Sequence, residues 1–195
     1  MSDLSWHDGS WLNRPASVHI GKQLVVGSES GSDFWQGTYY DFHRDSGHAL
    51  LFPIRQGQAM EVTFIADFGQ LYDQAGVLVR GGARTWCKAG LEVVDHVPHI
   101  GAVATAPISD WSAAPAPEWA GATVTVRASW QRDALIIRGR TPDTAWRFLR
   151  LVPFAMDDAL AGPYCASPEH AGLEVRFLSA RTTPADASLH DPPAS

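Results

Sequence analysis

One predicted strand, Arg84–Val94, carries side chains whose types and spacing could bind a sugar. Alternation along the strand places Trp86, Lys88, Gly90 and Glu92 on one face and small apolar residues on the other. An indole can stack on the apolar C–H face of a pyranose, an ammonium donates hydrogen bonds, and a carboxylate accepts them. A glycine leaves room for a ligand above the strand. This face predicts a carbohydrate-binding surface, and the alternative is a solvent-facing sheet with a cross-strand Lys–Glu pair.

The lysine in this strand is unusual for this chain, which has two lysines and thirteen arginines. An ammonium is a compact point donor, whereas a guanidinium is a flat fork. Its use in the middle of a strand therefore favours a chemical role for Lys88. Gln74, on the outward face of the preceding strand, can both donate and accept hydrogen bonds, so we expect it to join the same site.

Two aromatic residues are predicted to form the walls of the site. Trp111 follows the strand His99–Ala106, and Trp35 lies in a segment rich in aromatic residues. Asp110, next to Trp111, is a further ligand-binding candidate, although an aspartate there can also cap a loop by accepting from local backbone N–H groups.

Whether the protein is an enzyme stays open. Glu92 as acid/base with Lys88 as electrophilic stabiliser would suit a hydrolase or lyase acting on a small or modified saccharide. Retaining glycosidases need two carboxyl groups about 5–5.5 Å apart, which i, i+2 spacing on one strand supplies. None of the 21 carboxylates forms such a pair, although Glu61 or Asp110 on other strands could converge with Glu92. A third possibility is a protein-interaction module without a small-molecule site.

The sequence predicts neither a metal nor a cofactor. His96 and His99 are separated by a proline and would not present both rings on one strand face, while zinc needs three or four convergent ligands. Cys87 is predicted to face the core and Cys165 to lie in a more exposed turn, both as thiols.

Composition narrows the partners and the location. A formal net charge of −6 argues against a nucleic-acid partner, because no excess of cations is available to replace phosphate counterions. There is no apolar run of about 18 residues for a membrane helix, and the first residues lack the basic and apolar regions of a secretory signal. We therefore expect a cytoplasmic protein whose partner is a saccharide or sugar-like small molecule. The oligomeric state stays open.

The elements that must position these residues are mostly strands. Apolar residues recur with a period of two in about ten short segments separated by Gly-, Asp- and Pro-containing turns, which predicts an all-β antiparallel sandwich or barrel. One short helix is predicted near Met156–Leu160 and one long loop at Ser112–Gly121. Residues 1–181 are expected to form a single domain, and 182–195, small and polar, a disordered tail.

Six motifs in order along the chain resemble a known family. The sequence is similar to the uncharacterised proteins described as "regulation of enolase protein 1-like", and the resemblance runs from about residue 6 to 180. It implies a concanavalin A-like lectin/glucanase fold, that is, a two-sheet jelly roll with one concave face. It supplies no catalytic residues, and we carry no enolase-regulating role onto this sequence. The motifs are Trp11-Leu12-Asn13-Arg14-Pro15, Asp33-Phe34-Trp35, Tyr72-Asp73-Gln74-Ala75-Gly76, Trp86-Cys87-Lys88-Ala89-Gly90-Leu91-Glu92, Ser109-Asp110-Trp111-Ser112 and Gly162-Pro163-Tyr164-Cys165-Ala166-Ser167-Pro168.

Overall fold

The period-two pattern builds two antiparallel sheets that pack face to face. The computed structural model describes residues 2–193. The strands are β1 (Ser2–Asp3), β2 (Ser10–Leu12), β3 (Ser17–Ile20), β4 (Leu24–Gly27), β5 (Phe34–Gln36), β6 (His43–Asp45), β7 (His48–Ile54), β8 (Gln58–Ile65), β9 (Gln74–Gly82), β10 (Thr85–Val94), β11 (Val97–Thr105), β12 (Ser109–Pro115), β13 (Thr123–Gln131), β14 (Ala134–Arg140), β15 (Arg147–Pro153), β16 (Ala159–Ala166) and β17 (Glu174–Pro184). Two 3-10 helices span Trp6–Asp8 and Pro117–Trp119.

The first sheet has eight strands in the order β15-β14-β13-β8-β17-β4-β3, with β1 paired to β17. The second has seven strands in the order β12-β11-β10-β9-β16-β7-β2, and β5 and β6 form a separate hairpin. This arrangement confirms the predicted all-β, two-sheet antiparallel jelly-roll sandwich. Among the described residues, none of the helices has the length and apolar character needed to cross a membrane.

The core lies between the sheets and is made by the inward-facing half of each alternating strand. Val62, Val77 and Leu91 are fully buried there. Trp130 packs edge-on against Phe154, with ring centroids 5.2 Å apart, as its alternation with core valines predicts. The outer face of each sheet is therefore left free to carry polar residues, and both outer faces do so.

Two of the predicted irregular segments are strands instead. The helix predicted near Met156–Leu160 is wrong, because β16 begins at Ala159 and pairs with both β9 and β7. Pro163 lies within this strand, and because proline has no N–H for a ladder, the sequence there did not predict a strand. The pairing with β7 is interrupted at that point. The loop predicted at Ser112–Gly121 is also wrong in its first part, which belongs to the edge strand β12.

The predicted disordered tail is wrong at its beginning, residues 182–186. Strand β17 continues through Thr182–Pro184, and Asp186 is buried on the outer face of the eight-stranded sheet. Register places Arg127 directly beside Arg138, and like charges in that position repel each other. Asp186 accepts from both guanidinium groups, at 2.7 and 2.8 Å, so electrostatics hold the segment against the sheet. Ala194 and Ser195 lie outside the described residues.

Candidate functional site

The hairpin of β5 and β6 covers part of the outer face of the seven-stranded sheet and creates a cavity there. Its Gln36 backbone N–H donates to Ser109 Oγ at 2.9 Å. Asp45 accepts two hydrogen bonds of 2.7 Å from Arg80 of β9. Phe34 packs on Trp86, with ring centroids 5.9 Å apart. The hairpin is thus fixed to the sheet by hydrogen bonds, an ion pair and aromatic contact.

The cavity is open to solvent on one side and has a volume of about 230 Å³. That is smaller than the roughly 300–1,000 Å³ of pockets for drug-sized ligands and suits a ligand of one or two rings. Its lining combines aromatic rings with charged and polar groups. The lining residues are Asp33, Trp35, Tyr40, Phe42, Arg44, Tyr72, Lys88, Glu92, Val103, Trp111, Pro168 and Glu169.

A buried polar cluster, which we term the cavity floor, consists of Lys88, Asp33, Gln74 and Glu92. Lys88 is 3% exposed and donates to Asp33 Oδ1 at 2.9 Å and to Gln74 Oε1 at 2.7 Å. Because an ammonium only donates, it fixes the amide oxygen of Gln74 toward itself. The Gln74 nitrogen then faces Asp33 Oδ1 and Glu92 Oε1, each 3.5 Å away. Register supports this geometry, since Gln74 lies directly opposite Glu92.

The cavity floor keeps hydrogen-bonding capacity that the protein does not use. Asp33 Oδ1 accepts from the Phe34 backbone N–H at 2.7 Å as well as from Lys88 and Gln74. Asp33 Oδ2 has no partner within residues 2–193, and one of the three Lys88 protons is also unpaired there. An acceptor and a donor that have no protein partner and lie next to a cavity are available to a ligand, which is typical of a binding site.

Glu92 of the cavity floor has a shifted pKa. Burial raises the pKa of Glu92 from its ordinary 4.5 to about 7, and the nearby Asp33 carboxylate acts in the same direction. Lys88, His99 and the Trp111 indole act in the opposite direction. Glu92 is therefore present in both protonation states near neutral pH, which suits either a switchable hydrogen bond or general acid/base chemistry.

Aromatic rings form the wall of the cavity from its interior to its mouth. Trp35 is fixed by its indole N–H, which donates to Thr38 O at 2.9 Å, and its ring meets Tyr40 edge-on at 5.8 Å. Tyr40 stacks on Phe42 at 5.4 Å, and the Arg44 guanidinium lies 4.5 Å above Phe42. Trp111 also lines the cavity and is 37% exposed. The cavity therefore combines several aromatic rings with the polar floor.

Most of the residues that the sequence predicted for the site come together. Lys88, Glu92, Trp35 and Trp111 line the cavity, and Gln74 lies beneath it. Strand register places Trp111 in line with the site: Trp111 pairs with Val103 on the neighbouring strand, and Val103 pairs with Lys88. The predicted juxtaposition of one lysine, one glutamate and two tryptophans is thus present in the structure.

Three of the sequence-based assignments do not match where the structure places the residues. Trp86 faces the predicted side of β10, but the hairpin covers it, and at 1% exposure it lies outside the cavity lining. Asp110 faces away from the cavity and pairs with Arg150. Gly90 serves the backbone, since a Cβ there would lie 2.0 Å from the Ala75 carbonyl oxygen.

Eight of the twelve lining residues were not assigned from the sequence: Asp33, Tyr40, Phe42, Arg44, Tyr72, Val103, Pro168 and Glu169. Asp33 lies 55 residues before its ion-pair partner Lys88, so no local spacing connects them. A signal did exist, because the Asp33-Phe34-Trp35 motif carries the family resemblance.

The two thiols are structural. Cys165, predicted to be the more exposed, is as buried as Cys87, and both are free. Burial raises the pKa of each thiol to about 12, so neither is a nucleophile near neutral pH. Within residues 2–193, no three His, Cys, Asp or Glu side chains converge in a way that could hold a metal ion.

Comparison with known sequences agrees with the six motifs. A family model described as a protein of unknown function, DUF1349, matches residues 11–185. The chain is 36% identical over 189 residues to "Regulation of enolase protein 1" of Saccharomyces cerevisiae, covering 94% of this chain and 93% of the yeast protein. It is 33% identical over 141 residues to an uncharacterised protein of Emericella nidulans, covering 65% of this chain and 68% of that protein.

Several solved structures are similar to this sandwich, at very different levels of sequence identity. A functionally unknown protein from Saccharomyces cerevisiae has a TM-score of 0.87 and 33% identity, with 93% of this chain and 98% of that chain covered. The GH43 BlXynB protein from Bacillus licheniformis has a TM-score of 0.67 at 12% identity, with 92% and 38% covered. A xylan β-1,4-xylosidase from Bacillus halodurans has a TM-score of 0.61 at 11% identity, with 82% and 32% covered. The similarity to the two Bacillus proteins shows the fold alone, and it covers about a third of each of those longer chains.

Proposed function

This chain belongs to the DUF1349 family of proteins of unknown function, and we propose that its cavity binds one sugar residue or a sugar-like polyol of similar size. The single observation that carries this proposal is the cavity floor: a buried Lys88, held by Asp33 and Gln74, lies beneath walls of aromatic rings. A sugar presents an apolar C–H face and a rim of hydroxyls that both donate and accept, and this lining complements both features.

The shape of the site favours a small molecule over a macromolecular partner. Lys88 and Glu92 share a concave cavity of about 230 Å³ rather than a flat or convex sheet face. The sandwich likeness to a xylan β-1,4-xylosidase is consistent with a saccharide ligand, but at 11% identity it adds only the fold. The proposal therefore rests on the lining residues of this chain.

Isothermal titration calorimetry with a set of monosaccharides (xylose, arabinose, glucose, galactose, mannose and glucuronate) tests the proposal. We expect at least one sugar to bind, and Lys88→Met to weaken that binding at least tenfold, because the methionine offers no donor to a hydroxyl. Trp111→Ala should weaken it about tenfold through the loss of ring stacking.

Phe148→Ala is the matched control for Trp111→Ala. Phe148 is an exposed aromatic residue, 50% accessible, on β15 of the other sheet. We expect unchanged affinity in this variant. The absence of binding by every sugar in the set, or equal affinity in wild type and Lys88→Met, would overturn the assignment of the site.

A further inference from the structure

We propose that the cavity also hydrolyses a glycosidic bond, with Glu92 as the proton donor and Asp33 as the carboxylate that attacks the anomeric carbon. This inference rests on the proposed function, since the sugar residue bound in the cavity is the one that is transferred. The substrate class is a glycoside whose terminal, non-reducing residue enters the cavity while the leaving group extends through the mouth beside Trp111.

The separation of the two carboxyl groups supports this reaction. Gln74 Nε2 lies 3.5 Å from Asp33 Oδ1 and 3.5 Å from Glu92 Oε1, so those two oxygens are at most about 7 Å apart. Carboxyl pairs are about 5–5.5 Å apart in retaining glycosidases and about 6.5–9.5 Å apart in inverting ones. The limit of about 7 Å on this pair of oxygens admits the separation found in retaining enzymes, and the retaining course is the one proposed for this cavity.

The surroundings of the two carboxyl groups assign their roles. Asp33 Oδ1 accepts from the Lys88 ammonium at 2.9 Å and from the Phe34 N–H at 2.7 Å, while Asp33 Oδ2 has no protein partner within the described residues and Asp33 lines the cavity. Glu92 has a long contact to Gln74 and lies beside the Trp111 indole, and burial raises its pKa to about 7. Two carboxyl groups in environments this different are typical of an acid and a nucleophile acting together.

The reaction balances with water as the only co-reactant. Asp33 Oδ2 forms a bond to the anomeric carbon while the bond from that carbon to the leaving oxygen breaks, and the leaving oxygen takes the Glu92 proton. A water oxygen then attacks the same carbon, the ester bond to Asp33 breaks, and the water proton returns to Glu92. The products are the free sugar, with its anomeric configuration retained, and the alcohol.

The pH profile of this reaction depends on every charged group that faces Glu92. Besides Glu92, these groups are Lys88, Asp33 and His99, and the hydroxyls of Tyr72 and Tyr164 lie in the same field. The acid must hold its proton, so we expect the rate of the first step to fall as pH rises through about 7.

Paired substrates with different leaving groups test the proposal on the intact chain. For each sugar in the calorimetry set, the 4-nitrophenyl and methyl glycosides are incubated with the protein, and release of the sugar is measured. We expect wild type to hydrolyse at least one pair. Glu92→Gln should lose about 10²–10⁴-fold on the methyl glycoside and much less on the nitrophenyl glycoside, whose leaving group needs little protonation. A merely structural role for Glu92 would reduce both equally.

A covalent trap identifies the nucleophile. Reaction with the 2-deoxy-2-fluoro glycosyl fluoride of the active sugar should add one fluorosugar to the protein, and peptide mass mapping should place it on Asp33. Asp33→Asn should take up no label. Asp110→Asn, a carboxylate change outside the cavity, is the matched control and should keep both activity and labelling.

The outcomes separate this inference from the proposed function. Sugar binding without hydrolysis of any glycoside, or hydrolysis that survives Glu92→Gln equally on both leaving groups, overturns the catalytic inference and leaves the binding site intact. The absence of both binding and hydrolysis overturns the proposed function as well. Label on a residue other than Asp33 overturns the assignment of the nucleophile.

Discussion

The outer face of each sheet carries a buried cluster of ion pairs, and the two clusters differ in how completely their polar atoms are paired. On the eight-stranded sheet, Arg127 donates to Glu61 and to Asp186, both at 2.7 Å. The second oxygen of Asp186 accepts from Arg138 at 2.8 Å, and that of Glu61 from Arg181 at 2.7 Å. We term this cluster the C-terminal clamp. Every carboxylate oxygen in it has a guanidinium partner.

The cavity floor on the other sheet contains similar chemistry but is left incomplete. Asp33 Oδ2 and one proton of Lys88 have no partner within the described residues, and both residues line an open cavity. Unpaired polar atoms in a buried network cost folding free energy, whereas a complete network fixes one conformation. Burial and charge alone therefore do not distinguish a binding site from a structural cluster. Unused hydrogen-bonding capacity that faces a cavity makes this distinction.

The largest expected effect is on the clamp. Arg127→Met should lower the free energy of unfolding by about 3–5 kcal/mol, because it leaves Glu61 and Asp186 buried without their central cation. Urea unfolding followed by tryptophan fluorescence measures this change. Arg147→Met, which breaks an exposed pair with Glu118, should cost no more than about 1 kcal/mol. Equal losses in the two variants would show that the clamp is not structural.

The next effect is a pH dependence that belongs to the cavity floor. Since burial raises the pKa of Glu92 to about 7 from its ordinary 4.5, the folded protein keeps a proton that the unfolded chain releases between these pH values. The unfolded state binds fewer protons in this window, so stability falls as pH rises from about 4.5 to 7 and then levels off. The ionised Glu92 therefore costs about 3 kcal/mol at pH 8.

Glu92→Gln should remove this slope and make the protein more stable than wild type at pH 8. Glu61→Gln in the clamp is the matched control, and it should be less stable than wild type at the same pH, because it weakens the ion pairs with Arg127 and Arg181. Unfolding free energies of the three proteins at pH 5 and pH 8 decide between these expectations. A gain of stability at pH 8 in Glu92→Gln and a loss in Glu61→Gln would support the difference between the cavity floor and the clamp. A change in the same direction in both variants would contradict it.

A smaller effect on stability is expected from Lys88→Met. Loss of the ammonium leaves Asp33 with the Phe34 N–H and Gln74, but water can enter from the cavity and solvate it, so the cost should be about 1–3 kcal/mol. This loss of stability is smaller than that expected for Arg127→Met. Sugar binding, in contrast, should be weakened more by Lys88→Met than by Arg127→Met. Thermal unfolding measures the loss of stability in each variant, and calorimetry measures the loss of sugar affinity. A larger stability loss for Lys88→Met than for Arg127→Met would contradict this expectation.

The part of the site that could be predicted from the sequence is the part set by local geometry. Alternation places Lys88 and Glu92 on one face of β10, and the tight turn after β9 sets the register that brings Gln74 opposite Glu92. The same period-two pattern gave the sandwich and the buried position of Trp130.

The remainder depends on contacts between residues far apart in sequence. Alternation shows which face Trp86 occupies but not that a hairpin from residues 34–45 covers that face. In the same way, nothing local indicates that Asp33 joins Lys88, or that Asp186 is drawn to Arg127 and Arg138. The small, polar composition predicted a disordered tail, whereas two adjacent arginines in the folded sheet require an anion between them.

The smallest expected effect concerns two neighbours on the edge strand β12. Asp110 is exposed and pairs with Arg150 outside the cavity, while Trp111 faces into it. Asp110→Asn should therefore change the free energy of unfolding by less than about 1 kcal/mol and leave sugar affinity unchanged, in contrast to the tenfold loss expected for Trp111→Ala. Calorimetry on the two variants measures the difference. Similar losses of affinity would mean that the ligand wraps around the edge of the sheet, because adjacent residues on a strand cannot both face one cavity.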